Sequence, residues 1–209
     1  KTLYHLLTSR QSMVSLQSPI TLPCGLTLPN RLAKAAMTEC LADEWSRPTP
    51  ELCRLYETWS KGGTALLITG NVQIDRRYME RPGNVAIDGA QNQQQMEALA
   101  KYARSGQKYN GSKIFVQLGH AGRQCTALVS TTSIGPSDIA LQSAANKVCG
   151  KPRKMTLTDI QDVKKRFVLA AKVCQQCGFD GIQLHAAHGY LLSSFMNPLA
   201  NNRRDDQYG

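Results

Sequence analysis

At 209 residues, with 42% hydrophobic and 19% charged side chains, the chain has the composition of one globular domain and not of a disordered segment. No apolar run approaches the roughly 20 residues that a membrane-spanning helix requires, so no membrane partner is expected. The formal net charge of +10 admits a polyanion, but the basic residues fall in short dispersed groups (Arg76-Arg77, Lys164-Lys165-Arg166, Arg203-Arg204) without interleaved aromatics, which reads as a solvated basic surface and not as a nucleic-acid interface.

Residues 1–18 are expected to form an extension ahead of a single domain over residues 19–209. They carry Lys1, Arg10 and several serines, and no acid precedes Glu39. That is a faint likeness to a mitochondrial presequence. The absence of an initiator Met suggests instead that the sequence begins inside a longer chain. Residues 20–29 alternate around Cys24-Gly25 and predict a short hairpin. An apolar run at 31–37 is the first strand expected to be buried. Thr49-Pro50-Glu51 then supplies an N-cap, an N1 proline and a first-turn acid for a helix stopping at Gly62-Gly63. Residues 64–69 (Thr-Ala-Leu-Leu-Ile-Thr) form the second strand. Residues 91–109 form the second helix, with Met96, Leu99, Tyr102 and Ala103 on one face. The third strand covers 113–118. The stretch between Cys125 and Pro152 lacks periodicity and is expected to be a long loop over one face, holding at most a short hairpin. Thr158-Asp-Ile-Gln161 has the capping-box pattern and opens a helix that ends at Gly178. The fourth strand covers 180–185.

Seven cysteines, an odd and scattered set, and no evident secretory signal fit free thiols in a reducing compartment such as the cytoplasm. Cys174-Gln-Gln-Cys177 lacks a second pair to complete a zinc site. It falls in the last turn of a helix and reads as two packing residues.

Strands of near-continuous apolar character that alternate with helices predict an α/β fold with a parallel sheet. A dinucleotide-binding sheet would carry GxGxxG after its first strand, and none is present. Instead, a different capable residue follows each strand: Met37-Thr38, Gly70-Asn71, Gln117 and His185. That distribution fits a (β/α)8 TIM barrel, whose active site gathers at the carboxyl ends of its strands. Only the first four β/α units are present. Two open sheet edges are therefore expected, to be completed by a missing C-terminal half-barrel or by self-association.

The segment His185-Ala-Ala-His188-Gly-Tyr190 admits more than one chemistry. Histidines at i and i+3 can ligate a metal, although no third ligand stands at the usual spacing. Two imidazole N–H groups can instead converge on a developing oxyanion, with the tyrosine hydroxyl as proton donor. Plain hydrogen-bonded buried histidines are a third reading. Gln117 has an amide able to pair with a heterocycle's carbonyl and N–H edge.

Four ordered stretches resemble the Old Yellow Enzyme family of FMN-dependent oxidoreductases: residues 26–39, 66–72 (Leu-Leu-Ile-Thr-Gly-Asn-Val), 115–124 (Phe-Val-Gln-Leu-Gly-His-Ala-Gly-Arg-Gln) and 182–209. The resemblance runs from about Ser18 to Gly209. It implies a TIM barrel that binds FMN and is reduced by NADH or NADPH. It places the Ala35, Ala36, Met37 and Thr38 backbone, the Gly70 N–H, Gln117 and His185 against the flavin. It also places His185 and His188 on the oxygen of a small-molecule enone or nitro substrate, with Tyr190 as the proton donor. The family's flavin-phosphate loops and a fifth-strand arginine fall outside these 209 residues. A different class of function, a truncated non-catalytic half-barrel acting as a pseudoenzyme or interaction module, stays open at this point.

Overall fold

The computed structural model describes residues 14–142 and 147–209, so most of the expected extension at 1–18 lies outside the described residues. Ile20–Thr21 (β1) and Thr27–Leu28 (β2) pair antiparallel as the expected hairpin, with Gly25 at φ +86° in its turn. The sheet that follows is parallel and takes its strands in chain order: Ala33–Lys34 (β3), Leu66–Ile68 (β4), Lys113–Gly119 (β6) and Gly181–Leu184 (β9). A short strand, Val72–Gln73 (β5), continues β4 along the same edge of β6, with Val72 opposite Leu118. The second strand is therefore one strand broken at residues 69–71. Thr69 causes part of the break, because its Oγ1 accepts the Gln117 N–H at 3.0 Å in place of a backbone carbonyl.

The helices form where local chemistry specifies their ends. Pro50–Lys61 (α1) starts under Thr49, whose side chain accepts the Leu52 N–H. Gln93–Gly106 (α2) starts in a capping box between Asn92 and Gln95. The two pack through Tyr56 and Tyr102, whose rings meet edge-on with centroids 4.8 Å apart. Both rings are fully buried, a burial worth about 1.5–3 kcal/mol for each large side chain. On β6, Ile114, Val116 and Leu118 point into this helix-covered core, and Lys113, Phe115 and Gln117 line the opposite, inner face. Leu157–Gln176 (α3) covers β6 and β9 through Ile160, Val163, Ala170 and Val173.

Two expectations need correction. The capping box of α3 is Thr156 with Asp159, two residues earlier than Thr158 with Gln161. Asp159 there accepts from the Thr156 N–H at 2.8 Å and also receives Arg153, a double role that Gln161 cannot fill. The segment expected as a loop or short hairpin instead holds Thr132–Gly135 (β7) and Lys151–Lys154 (β8), which pair parallel. The chain between them returns to the same end of the ribbon, and only that route yields a parallel pair. Arg203, 2% exposed, ties this ribbon down by donating to the Pro136 and Met155 carbonyls at 2.9 and 2.7 Å.

Four strand positions make an open arc, as expected. Its outer members β3 and β9 each have one unpaired edge among the described residues. On β9, Ile182 is 37% and Leu184 54% exposed on the side that β6 buries against helices. An apolar strand edge of this kind is a template for association.

Candidate active site

The floor of the site is the backbone that leaves β3. A Cβ placed on residue 70 would lie 2.3 Å from the Met37 carbonyl oxygen and 2.3 Å from Glu39 Oε2, so only glycine admits the chain at 35–38 in this position. The Gly70 N–H is donated to Tyr56 Oη at 3.2 Å. In this structure the group points inward, and Gly70 leaves room for Met37. Beneath the floor stands a buried cluster that the sequence reading missed. Lys34 Nζ donates to Glu39 Oε1 at 3.1 Å, Tyr56 Oη at 2.8 Å and the Ile68 carbonyl at 2.8 Å, using all three of its hydrogens. It also sits 4.7 Å from the Tyr56 and Trp59 ring centroids. Burial lowers the proton affinity of Lys34, and the adjacent Glu39 carboxylate works against that shift.

One wall is a pair of carboxamides. Gln117 Nε2 donates to Gln183 Oε1 at 2.8 Å across the β6–β9 register. The Gln117 carbonyl oxygen is left facing the inner surface. Gln183 is a second residue that the motif reading did not single out.

The opposite wall grows from the end of β9. His185 continues the ladder through its N–H to the Leu118 carbonyl at 2.8 Å, and its side chain is held among others at 6% residue exposure. Its Nδ1 accepts the Ala187 N–H at 3.3 Å, which leaves the ring proton on Nε2. Burial is the main reason its pKa is lowered, and neighbouring His188 adds to the shift, so His185 is a neutral N–H donor. The chain then turns through two left-handed residues, His188 at φ +59° and Gly189 at φ +76°. Gln124 Nε2 secures the turn by donating to the His188 carbonyl at 2.7 Å. The turn brings the His188 and Tyr190 rings edge-on to His185, with centroids 5.3 and 4.7 Å away. Tyr190 caps Leu191–Phe195 (α4). Burial, then the charge of the Glu80 carboxylate, holds the Tyr190 phenol well above the usual tyrosine range.

These elements enclose a cavity of about 210 Å³ lined by Ala36, Met37, Thr38, Asn71, Gln117, His185, His188 and Tyr190. Seven of the sequence-predicted site residues therefore come together, while Ala35 and Gly70 do not line the cavity. Asn71 was noted only as the neighbour of Gly70. Glu80 carried no sequence signal: it is a lone carboxylate after a one-turn helix at Arg76–Tyr78, and its Oε2 lies 3.5 Å from both Thr38 Oγ1 and Asn71 Nδ2. The remaining titratable features belong to the scaffold. Cys174 and Cys177 are buried thiols without a bond between them, and burial pushes Cys174 up to about 12. Among the described residues no third His, Cys, Asp or Glu joins the two histidines in a metal-binding group.

The sequence pattern of the NADH:flavin oxidoreductase / NADH oxidase family matches residues 15–209. The chain belongs to this family. Among its relatives is the NADH-dependent flavin oxidoreductase iliE of Hypocrea jecorina, 38% identical over 205 residues that cover 91% of this chain and 51% of that protein. The NADH oxidase of Thermoanaerobacter brockii is 34% identical, covering 88% of this chain and 28% of that protein. Solved structures agree. The Old Yellow Enzyme of Pichia sp. AKU4542 superimposes with a TM-score of 0.84 at 29% identity, over 94% of this chain and 52% of that one. The old yellow enzyme homologue of Zymomonas mobilis gives 0.80 at 28% identity, over 93% and 54%. The chain thus spans about half the length of the curated relatives named here, or less, and corresponds to part of the family's barrel. Its cavity suits the ring of the family's flavin, FMN. The backbone at 35–38 is open, the Gln117 carbonyl is unengaged, and a neutral imidazole N–H stands opposite.

Proposed function

We propose that this chain is the ring- and substrate-binding part of an FMN-dependent NAD(P)H oxidoreductase of the ene-reductase type, acting on α,β-unsaturated carbonyl or nitro compounds. The observation that carries the reading is the convergence of a neutral imidazole, a second imidazole and a protonated phenol on one cavity above the residue 36–38 backbone. Ala35, Ala36, Met37, Thr38, Gly70, the Gln117 amide and His185 would hold FMN, which would supply the hydride when bound. His185 Nε2–H and the His188 ring hold the substrate's carbonyl or nitro oxygen and stabilise the charge that develops there. A preplaced donor of this kind is worth about 3 kcal/mol in the transition state. Because burial disfavours the imidazolium, His185 acts as a neutral donor. Tyr190 hands its phenolic proton to the carbon beside the carbonyl. The phenol keeps that proton at neutral pH, since its anion is disfavoured both by burial and by Glu80. Nicotinamide as reductant and the enone as substrate would be taken in turn at this cavity.

The two unpaired sheet edges and the exposed Ile182 and Leu184 favour a second reading of the chain taken alone. Four strands close into a barrel only with further strands, from a C-terminal half-barrel or a second copy. Without them the chain is a non-catalytic half-barrel whose role is to pair.

Tyr190→Phe tests the first reading. It should slow the enone half-reaction by about 100-fold, the lower range for loss of a general acid, while nicotinamide still reduces the flavin at its former rate. If both half-reactions fall equally, Tyr190 is not the proton donor.

A further inference from the structure

We propose that the buried Lys34–Glu39 ion pair is a clasp that holds the residue 35–38 shelf in place for a flavin ring, which makes both side chains positioning residues. The link to the ring rests on the FMN-dependent reading above. Lys34 is the last residue of β3, and residues 35–38 fill the whole interval between it and Glu39. Lys34 Nζ donates to Glu39 Oε1 at 3.1 Å, and the two side chains are only 7% and 11% exposed. The pair therefore joins one end of the shelf to the other.

The shelf has little else to fix it. Among the described residues, no backbone N–H or carbonyl of Ala35, Ala36, Met37 or Thr38 takes part in a hydrogen bond. Thr38, its one polar side chain, reaches Glu80 Oε2 only at 3.5 Å. Ala35 and Met37 are exposed, so packing does not pin them either. A segment with so few bonds of its own opens easily unless its ends are held. The clasp, by contrast, is anchored on two elements. Lys34 spends its other two hydrogens on Tyr56 Oη of α1 and the Ile68 carbonyl of β4, each at 2.8 Å. Tyr56 Oη donates to Glu39 Oε1 at 2.6 Å and receives the Gly70 N–H at 3.2 Å.

The use of charge points the same way. Taking two charges out of water is costly, and well-packed apolar residues of similar volume often hold a fold equally well or better. A fully bonded ion pair adds a fixed distance between two points of the chain, here the two ends of the shelf. A ring that meets a shelf already in place does not have to order it on binding.

The test separates placement from stability. It uses Lys34→Met/Glu39→Gln, which removes both charges together, leaves the net charge unchanged and so keeps the overall attraction for the flavin phosphate. Backbone 15N order parameters for residues 36–38 are read in the full chain without ligand. They should be about 0.85 in the wild type, as in a rigid element, and fall below about 0.6 in the double variant, while Tyr102 and Ala103 of α2 keep theirs. FMN affinity, read by fluorescence titration, should fall by about tenfold, the effect of a shelf in place one tenth of the time. Wild-type values already below about 0.6 overturn the proposal, and that measurement needs no variant. Unchanged order parameters in the double variant overturn the clasp. Unchanged FMN affinity beside a loosened shelf overturns its role toward the ring. A wild-type chain that takes up no FMN overturns the FMN reading and the link to the ring, while the order parameters still decide the clasp.

Discussion

Gly70→Ala probes the floor of the site without reference to any reaction. The residue is not at positive φ, so an alanine is acceptable to the backbone and would restrict the unfolded chain, a gain of about 0.4–1 kcal/mol. Against this stands the new methyl group, 2.3 Å from the Met37 carbonyl oxygen and 2.3 Å from Glu39 Oε2. The Glu39 side chain is anchored by Lys34 and Tyr56 and the Met37 oxygen is backbone, so neither yields by a simple rotation. Overpacking of this kind costs about 1–3 kcal/mol. The net expectation is a loss of about 1–2 kcal/mol, which for a domain of this size lowers Tm by about 2–8 °C. The same displacement moves the residue 36–38 shelf, so FMN affinity should fall with it, by about tenfold for each 1.4 kcal/mol lost. Calorimetric or denaturant melting of the two proteins, followed by flavin titration, reads both effects. A Gly70→Ala protein as stable as the wild type would falsify the close approach of Met37 to residue 70.

Lys34→Met leaves the Glu39 carboxylate buried without its cation and should destabilise the fold by about 3–5 kcal/mol, with much of the loss recovered in Lys34→Met/Glu39→Gln; urea midpoints that do not recover would place the cost in lost packing. The lowered pKa of His185 also predicts a pH dependence. Below the ordinary histidine value of 6.5 the unfolded chain takes up a proton that the folded chain resists, so this contribution to stability is complete above that pH and is lost as pH falls through it. Urea midpoints between about pH 7 and pH 5 should fall less steeply in His185→Asn, and parallel curves would remove His185 as the cause. Leu184→Lys places a charge on the open edge of β9 and should shift a self-associating preparation toward monomer in size-exclusion chromatography; an unchanged elution volume means that the edge makes no contact between copies.

How much could be read in advance depended on how local each cause was. Thr49-Pro50 and the Gly62-Gly63 stop declare α1 within a dozen residues, and the parallel sheet followed from the apolar runs. The start of α3 was ambiguous because Thr156 and Thr158 both head acceptable capping patterns; the choice is made by Arg153, which binds Asp159 from the preceding strand. The β7–β8 ribbon depends on pairing across a long excursion and carries no periodic signal. In the site, His185, His188 and Tyr190 were legible because one tight turn holds all three. Gln183 and Glu80 were not, since the first needs the β6–β9 register and the second the path of the chain beyond β5. At Gly70 the motif marks a close approach, and in this structure the protein's own backbone at Met37 makes one.

The left-handed backbone at His188 bears on how such a site diversifies. Most L-residues resist φ near +59°, whereas Asn, Asp and His enter that region several-fold more readily. An exchange of His188 for Asn would therefore swap an imidazole donor for a carboxamide donor while the turn to Tyr190 keeps its shape. An aliphatic replacement would have to bend the turn and carry Tyr190 with it. The local geometry thus filters inheritance at this position, passing Asn, Asp and His and penalising bulky aliphatic side chains.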